Sequence, residues 1–230
     1  MFGVLGMLGG GALAAHAYNN HQQQVPNSEA YGPVLWRNET AENLFPATVG
    51  DASGYGKVSD KKAAQWNRMG ISQDTSCAEG LSGETKERAE KLGCKAVLRA
   101  TYVDLSGEMV ATVAIIVLPP GTAAQEMGEY LHDQESEDVP DAAVVPLKVP
   151  GTLAAKWQAN RRNGMGGTGL GDNSPYAIAV TTGAVDGRTT GDLPGEYGKY
   201  DGNGQDKMPW MAEADALSKI FYSNIGDLER

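Results

Sequence analysis

The chain has 230 residues, 41% of them hydrophobic, and its glycine count of 30 is high. This length suits one sizeable domain with its own core, and the glycines predict long irregular loops. The 29 acidic residues outnumber the 19 basic ones, which gives a formal net charge of −10. Because such a surface is repelled by phosphate backbones, the composition argues against nucleic acid as a partner.

The amino-terminal segment from Phe2 to Ala17 carries no charged side chain. It is shorter than the roughly 20 residues that a membrane-spanning helix needs, and Ala15-His16-Ala17 matches the small-x-small pattern of signal peptidase sites. No basic residue precedes it, although an export signal normally has one. We interpret residues 1–18 as a signal-anchor or truncated transmembrane segment that enters the lipid bilayer, with the carboxyl side outside the cell. Secretion after cleavage near Ala17 and a buried apolar helix of the domain are the alternatives.

The rest of the chain divides into a stalk and a domain. Residues 19–42 are interpreted as a polar stalk because they begin with a stretch rich in Asn, Gln and Pro. Residues 43–230 are expected to form one extracytoplasmic domain. At its start, Asn43–Val49 is interrupted by proline and is predicted as an edge strand or extended lead-in, and Ala63–Met69 as a helical turn.

Two helix starts compete before the first strongly periodic helix. Ser76 and Glu79 match a capping box, whereas Ser82 offers a second N-cap. From Glu84 to Leu92 the pattern is helical, with opposite charges four residues apart on one face. Gly93 follows where a left-handed residue commonly ends a helix.

A β-hairpin is predicted next, from the strands Ala96–Val103 and Met109–Leu118 with a turn between them. The continuous apolar run Ala114–Leu118 indicates a central strand that is covered on both faces. A helix is predicted from Ala123 to about His132, after a Pro-Pro-Gly sequence that ends the strand.

The remaining elements complete the predicted fold. We expect an edge strand over 143–149, a helix over 152–160, a strand over 176–185, a Gly-rich loop over 191–208 and a helix over 210–225. A hairpin followed by a helix thus occurs twice, which is typical of an α+β domain. We predict a mixed, mostly antiparallel sheet with helices packed mainly on one face, and one disulfide.

Cys77 and Cys94 are the only cysteines, and both follow the export segment. In an oxidising compartment such a pair is expected to form a disulfide. A continuous helix between them would hold their Cα atoms about 24 Å apart, whereas a disulfide needs less than about 7 Å. We therefore predict that the helix begins near Ser82 and that Cys77 to Leu81 run back along it. Unpaired thiols and a redox-active pair are the alternatives, and the redox-active pair is disfavoured because the Cys-x-x-Cys spacing is absent.

Few side chains are suited to catalysis or metal binding. His132 is the one histidine beyond the anchor and stalk, and we expect it to complement a helix end. Glu129 and His132 have the spacing of a carboxylate–histidine metal motif, but a second such helix is missing. Gly164–Gly169 fits a dinucleotide fingerprint, but its flanking residues predict a flexible loop in place of the required strand and helix.

Acidic residues concentrate in two predicted loops. Asp201–Asp206 alternates oxygen ligands with glycine, as calcium loops do, so weak calcium binding stays an alternative to a solvated acidic loop. The acidic residues of the other loop are Glu135, Glu137, Asp138 and Asp141. We expect no catalytic residue, no metal centre and no cofactor.

Three segments, Leu44–Val49, Ser76–Leu81 and Gly93–Asp104, together resemble uncharacterised single-pass membrane-anchored proteins of actinobacteria such as streptomycetes. The similarity covers roughly residues 34–120. It implies an external domain on one membrane segment, with the two cysteines paired and no assigned chemistry. More distantly, the layout is similar to external sensor domains of actinobacterial receptor kinases.

These patterns lead to one expected function and two alternatives. We expect a non-catalytic, extracytoplasmic binding or sensory module of the cell envelope, whose partner is an envelope component or a membrane protein. One alternative is an accessory subunit of a larger membrane complex. The other is a cell-wall hydrolase or transferase that uses carboxylates such as Glu196, Asp201 and Asp206. Two facing carboxylates in a cleft would favour the enzyme, and an apolar patch would favour binding.

Overall fold

The computed structural model describes residues 27–50, 65–135, 144–171, 173–189 and 208–230. In these ranges six strands form one sheet in the order β1-β2-β3-β4-β6-β5, with every neighbouring pair antiparallel. The strands are β1 Thr48–Val49, β2 Trp66–Ile71, β3 Ala96–Asp104, β4 Met109–Val117, β5 Arg162–Gly169 and β6 Tyr176–Ala184. The α-helices are α1 Asn27–Ala30, α2 Gly32–Asn38, α3 Ala41–Leu44, α4 Cys77–Gly80, α5 Gly83–Lys91, α6 Ala123–Glu135 and α7 Met208–Leu228.

The centre of the sheet is the predicted β3–β4 hairpin, which is confirmed. Its register runs from Ala96 opposite Val117 to Val103 opposite Val110. Strand β4 also pairs with β6 along its whole length, so it lies inside the sheet. All of its residues from Val110 to Val117 are buried, as the apolar run at its end indicates.

Helices cover both faces of this sheet. Ile115 packs in one core with Phe221 of α7, and Ile116 packs in another with Met127 of α6. Successive residues of a strand point to opposite faces, so α6 and α7 lie on opposite sides. The α+β class is confirmed, but the expectation of helices mainly on one face is corrected. A strand that is apolar on both faces needs cover on both.

The glycine-rich segment predicted as a flexible loop is strand β5, and its glycines explain how it fits. A Cβ added at Gly169 would lie 2.0 Å from the carbonyl oxygen of Ala124 in α6. A Cβ at Gly166 would lie 2.7 Å from the backbone nitrogen of Asp215 in α7. Two helix backbones therefore approach the strand from opposite faces, which side chains would prevent.

The described part of the predicted stalk packs on the domain. Leu35 of α2 is fully buried in the core that contains α7. The Tyr176 hydroxyl donates a hydrogen bond of 2.6 Å to the carbonyl of Gly32 and accepts one of 3.1 Å from the Trp36 N–H. Residues 32–42 are therefore part of the folded unit, and the boundary expected at residue 43 is corrected.

The predicted signal-anchor, residues 1–18, lies outside the described residues. The Gly-rich loop predicted over 191–208 also lies outside them, apart from its last residue. Among the helices of the described ranges, none is long and apolar enough to cross a membrane.

Two further predictions are corrected by pairing between distant segments. Trp66–Ile71 is a strand, not a helical turn, because it pairs with β3 and buries Trp66. The segment predicted as a helix over 152–160 instead forms two 3₁₀ turns, Leu153–Lys156 and Ala159–Arg161. Local pattern was outweighed in both cases by long-range contacts.

Residues 144–149 form an extended strap across β3 and β4 instead of the predicted edge strand. The Thr101 hydroxyl donates a hydrogen bond of 2.7 Å to the Leu147 carbonyl, and the Leu147 N–H donates one of 3.1 Å to the Thr112 hydroxyl. Arg99 donates to the carbonyl of Val145 at 2.9 Å. Side chains of the sheet thus hold the strap in place of a strand ladder. Pro146, which has no N–H to donate, fits such a segment.

Candidate functional site

The predicted disulfide is present and sets the helix boundary as expected. Cys77 and Cys94 are bonded, with their Cα atoms 6.4 Å apart. Both candidate helix starts are used, since Ser76 precedes α4 and Ser82 precedes α5, although neither side chain makes a capping hydrogen bond. The two helices are separate and do not form one continuous helix. Gly93, with a φ of 82°, follows the second.

An open cleft of about 440 Å³ lies at the end of the sheet where β3 turns into β4. We call it the tip cleft, and its lining residues are Gln65, Trp66, Asp104, Leu105, Ser106, Met109 and Glu213. They come from the start of β2, the β3–β4 turn and the first turns of α7. The volume is within the range of small-ligand sites in proteins.

The walls of the tip cleft are largely apolar. Leu105 is 63% exposed. Its backbone N–H donates a hydrogen bond of 2.8 Å to the carbonyl of Gln65, so the turn fixes its position. Leu105 therefore presents an exposed apolar side chain in the cleft, as binding sites commonly do.

The carboxylate of Asp104 is occupied in holding the turn. One oxygen accepts hydrogen bonds from the N–H groups of Glu108 and Met109, at 2.9 and 2.8 Å. The other accepts from the Ser106 hydroxyl. An aspartate that caps its own turn in this way is a common structural feature. Asp104 is therefore poorly placed to act as a nucleophile or base.

Of the two acidic residues that line the tip cleft, Glu213 is the one whose carboxylate does not hold the β3–β4 turn. It is half-buried on α7. Burial raises the pKa of this carboxyl, the nearby charge of Asp104 raises it further, and a hydrogen bond with the Trp66 side chain acts in the opposite direction. The described residues that line the cleft include no lysine or arginine. Among the described lining residues, the two acidic groups therefore share the cleft without a lysine or arginine beside them.

A second, smaller cleft of about 280 Å³ lies between α5 and α6, and the charges that line it differ from those of the tip cleft. It is lined by Glu84, Glu87, Arg88, Lys91 and Tyr130, so acidic and basic groups are balanced within it. Such a mixed lining is what solvated helix surfaces with opposite charges four residues apart produce. The tip cleft differs in having one sign of charge and apolar walls.

A buried carboxylic acid also lies near the N-terminal helices. Glu229 is only 6% exposed and accepts a hydrogen bond of 3.0 Å from the Ser174 hydroxyl. Burial raises its pKa. One of its oxygens lies 2.9 Å from where a Cβ of Gly32 would be, so this glycine lets α2 approach the carboxyl closely. Glu229 therefore packs between Ser174 and α2.

The residues singled out from the sequence do not meet in one site. Glu129 and His132 are both exposed on α6, and the described residues contain no group of three or more potential metal ligands. Asp201–Asp206 and Glu196 lie outside the described residues. Of the second acidic stretch, the described residues include Glu135, the last residue of α6.

Comparison with known protein families, curated proteins and solved structures gives no match. The site itself must therefore indicate the function.

The sequence contains one signal for Glu213 that pattern reasoning missed. This glutamate lies three residues after Trp210 and four before Leu217, so it falls on the apolar stripe of α7. An acid on the buried stripe of an amphipathic helix indicates a special environment. The rest of the cleft could not be foreseen, because β2 and the β3–β4 turn are distant in sequence.

Proposed function

We propose that this chain is a non-catalytic, extracytoplasmic binding or sensory module of the cell envelope, and that a partner binds in the tip cleft. The observation that carries the proposal is the cleft itself, in which the exposed Leu105 adjoins the half-buried Glu213. Exposed apolar walls with a small number of polar groups are what a binding site offers. The proposed location rests on residues 1–18 and on the resemblance to anchored actinobacterial proteins.

The disulfide supports the extracytoplasmic part of the proposal. Structural disulfides form and persist in oxidising compartments, and they are rare in the cytosol. Cys77 and Cys94 fix α4 and α5 against the start of β3, as a structural bridge does. The pairing therefore agrees with a domain that lies outside the membrane.

The tip cleft favours binding over the hydrolase alternative for a chemical reason. Glycoside hydrolysis needs two carboxyl groups, each free to act on the substrate. Asp104 accepts three hydrogen bonds from its own turn, so Glu213 is left as the single acid available to a substrate among the described residues that line the cleft. A single acid with apolar neighbours suits recognition of a partner.

The test is site-specific photo-crosslinking in cells. A benzophenone amino acid replaces Leu105 in the full chain, and the control places it at Tyr222, which is 42% exposed on α7. We expect a discrete adduct from position 105 that is absent from position 222, with its partner identified by mass spectrometry. A pattern that is the same at both positions, or no adduct at 105, would overturn the proposal. A stoichiometric adduct with one membrane protein would indicate the accessory-subunit form of the function.

A further inference from the structure

We infer that the tip cleft receives a lysine or arginine side chain of a partner polypeptide, flanked in that partner by apolar residues. The inference rests on the proposed function and specifies what the cleft recognises. Its basis is the combination of two acidic groups and apolar walls in one open cleft.

The charge of the cleft calls for a cation. Asp104 and Glu213 line it, and Glu108 is exposed in the same turn. The basic residue of β2, Arg68, already donates to Glu42 and to the carbonyl of Phe45. A cation that reaches Glu213 would offset the negative charge that Glu213 and Asp104 bring to the cleft, in surroundings where charge interactions are stronger than in water.

The walls indicate what kind of cation fits. Leu105 and Met109 offer apolar surface in the cleft that Glu213 also lines. Lysine and arginine side chains bury their methylene stems along such surface while the charged end reaches a polar group. A divalent metal ion would instead require several free oxygen ligands, and Asp104 spends its oxygens on the turn.

The surroundings indicate that the cation belongs to a polypeptide. Leu105, which lines the cleft, is 63% exposed, so the apolar surface of the cleft reaches solvent. A small amine would leave that surface in water, whereas a chain with apolar neighbours on either side of the basic residue would cover it. The net charge of −10 would also draw a basic partner towards this protein.

The inference is tested with short probes on the full chain. The first probe is an acetylated and amidated Ala-Leu-Lys-Leu-Ala peptide, and the second replaces its lysine by norleucine, which keeps the stem and removes the charge. Hexylamine is the third probe. Binding is followed by NMR at the backbone amides of Leu105 and Ser106, with Glu213→Gln as the test variant and Glu90→Gln, an exposed acid on α5, as the control.

We expect the lysine peptide to shift both amides, and its affinity to fall about tenfold in Glu213→Gln while Glu90→Gln leaves it unchanged. Norleucine binding as tightly as lysine, or an unchanged affinity in Glu213→Gln, would overturn the inference. Hexylamine binding as tightly as the peptide would also overturn it, since the site would then be one for small cations. Unchanged melting temperatures would show that both variants fold. If position 105 still gives a specific adduct in cells while the lysine peptide does not bind, the proposed function stands and this inference fails.

Discussion

Removal of the disulfide is the perturbation whose effect on stability is best defined by the structure. Cys77 and Cys94 are both half-buried, so serine can replace each without opening a large cavity. The bond joins residues separated by 17 positions. For a loop of that length, the chain-entropy relation gives about 3 kcal/mol of stabilisation, because the bond restricts the unfolded chain.

The double serine variant should therefore unfold at a lower temperature. For a protein of this size, about 3 kcal/mol corresponds to a decrease of about 6–12 °C in Tm. The assay is thermal unfolding followed by circular dichroism, with the wild-type chain measured in the presence and absence of a reductant. Reduction of the wild type should reproduce the Tm of the variant.

The position of the effect is also predicted. Backbone amide exchange should accelerate in α4 and α5, whose ends the bond joins to β3, and much less in α7. A Tm that is the same with and without the bond would refute the reasoning. Uniform acceleration of exchange across the sheet would refute the local part of it.

Three further predictions concern packing, pH and location. Gly169→Ala should lower the Tm strongly, because its Cβ would lie 2.0 Å from the Ala124 carbonyl oxygen. Gly171→Ala is the control and should not lower the Tm, because nothing lies within 4 Å of its added Cβ. Equal melting temperatures of the two variants would contradict the close approach of α6. Glu229 has a raised pKa, so its contribution to stability is present at low pH and is lost as the pH rises through that pKa. Glu229→Gln should therefore gain stability relative to the wild type between pH 4 and pH 8 in thermal unfolding, and a difference independent of pH would contradict this. The full chain should sediment with membranes and resist carbonate extraction; recovery of a soluble form that begins after Ala17 would show cleavage instead of anchoring.

Much of the fold follows from local sequence pattern. The β3–β4 hairpin, α6 and the apolar stripe of α7 were all recognisable, because each has a regular hydrophobic period and clear turn or cap residues at its ends. The geometry of a disulfide placed the start of α5 near Ser82, where the helix in fact begins at Gly83. Here covalent chemistry supplied what helix propensity alone left open.

The elements that were predicted wrongly from the sequence share a physical cause. Strand β5 lacks a strand pattern, since its glycines are selected by two helix backbones that cross it at Gly166 and Gly169. The strap at 144–149 is held by side-chain hydroxyls of Thr101 and Thr112, which no local pattern encodes. Contacts between segments far apart in sequence determine both, so they appear only when the chain is folded.

The candidate site was less predictable than the fold. The candidate site residues from the sequence were His132 and the residues of two acidic loops. The cleft is instead built from a turn, a strand end and Glu213. Asp104 could be recognised as a turn residue, because aspartate, serine and glycine, here Asp104, Ser106 and Gly107, are common turn formers. Its proximity to Glu213, on a helix more than a hundred residues later, depends on the packing of α7 against the sheet.

The role of the tip cleft can be tested in cells by combining the photo-crosslinking residue at position 105 with Glu213→Gln. The matched control combines it with Glu90→Gln, whose carboxylate lies on the exposed surface of α5. If the partner's basic side chain pairs with Glu213, the adduct should fall about tenfold with Glu213→Gln and be retained with Glu90→Gln. An adduct of equal intensity in both backgrounds would contradict recognition through this carboxylate.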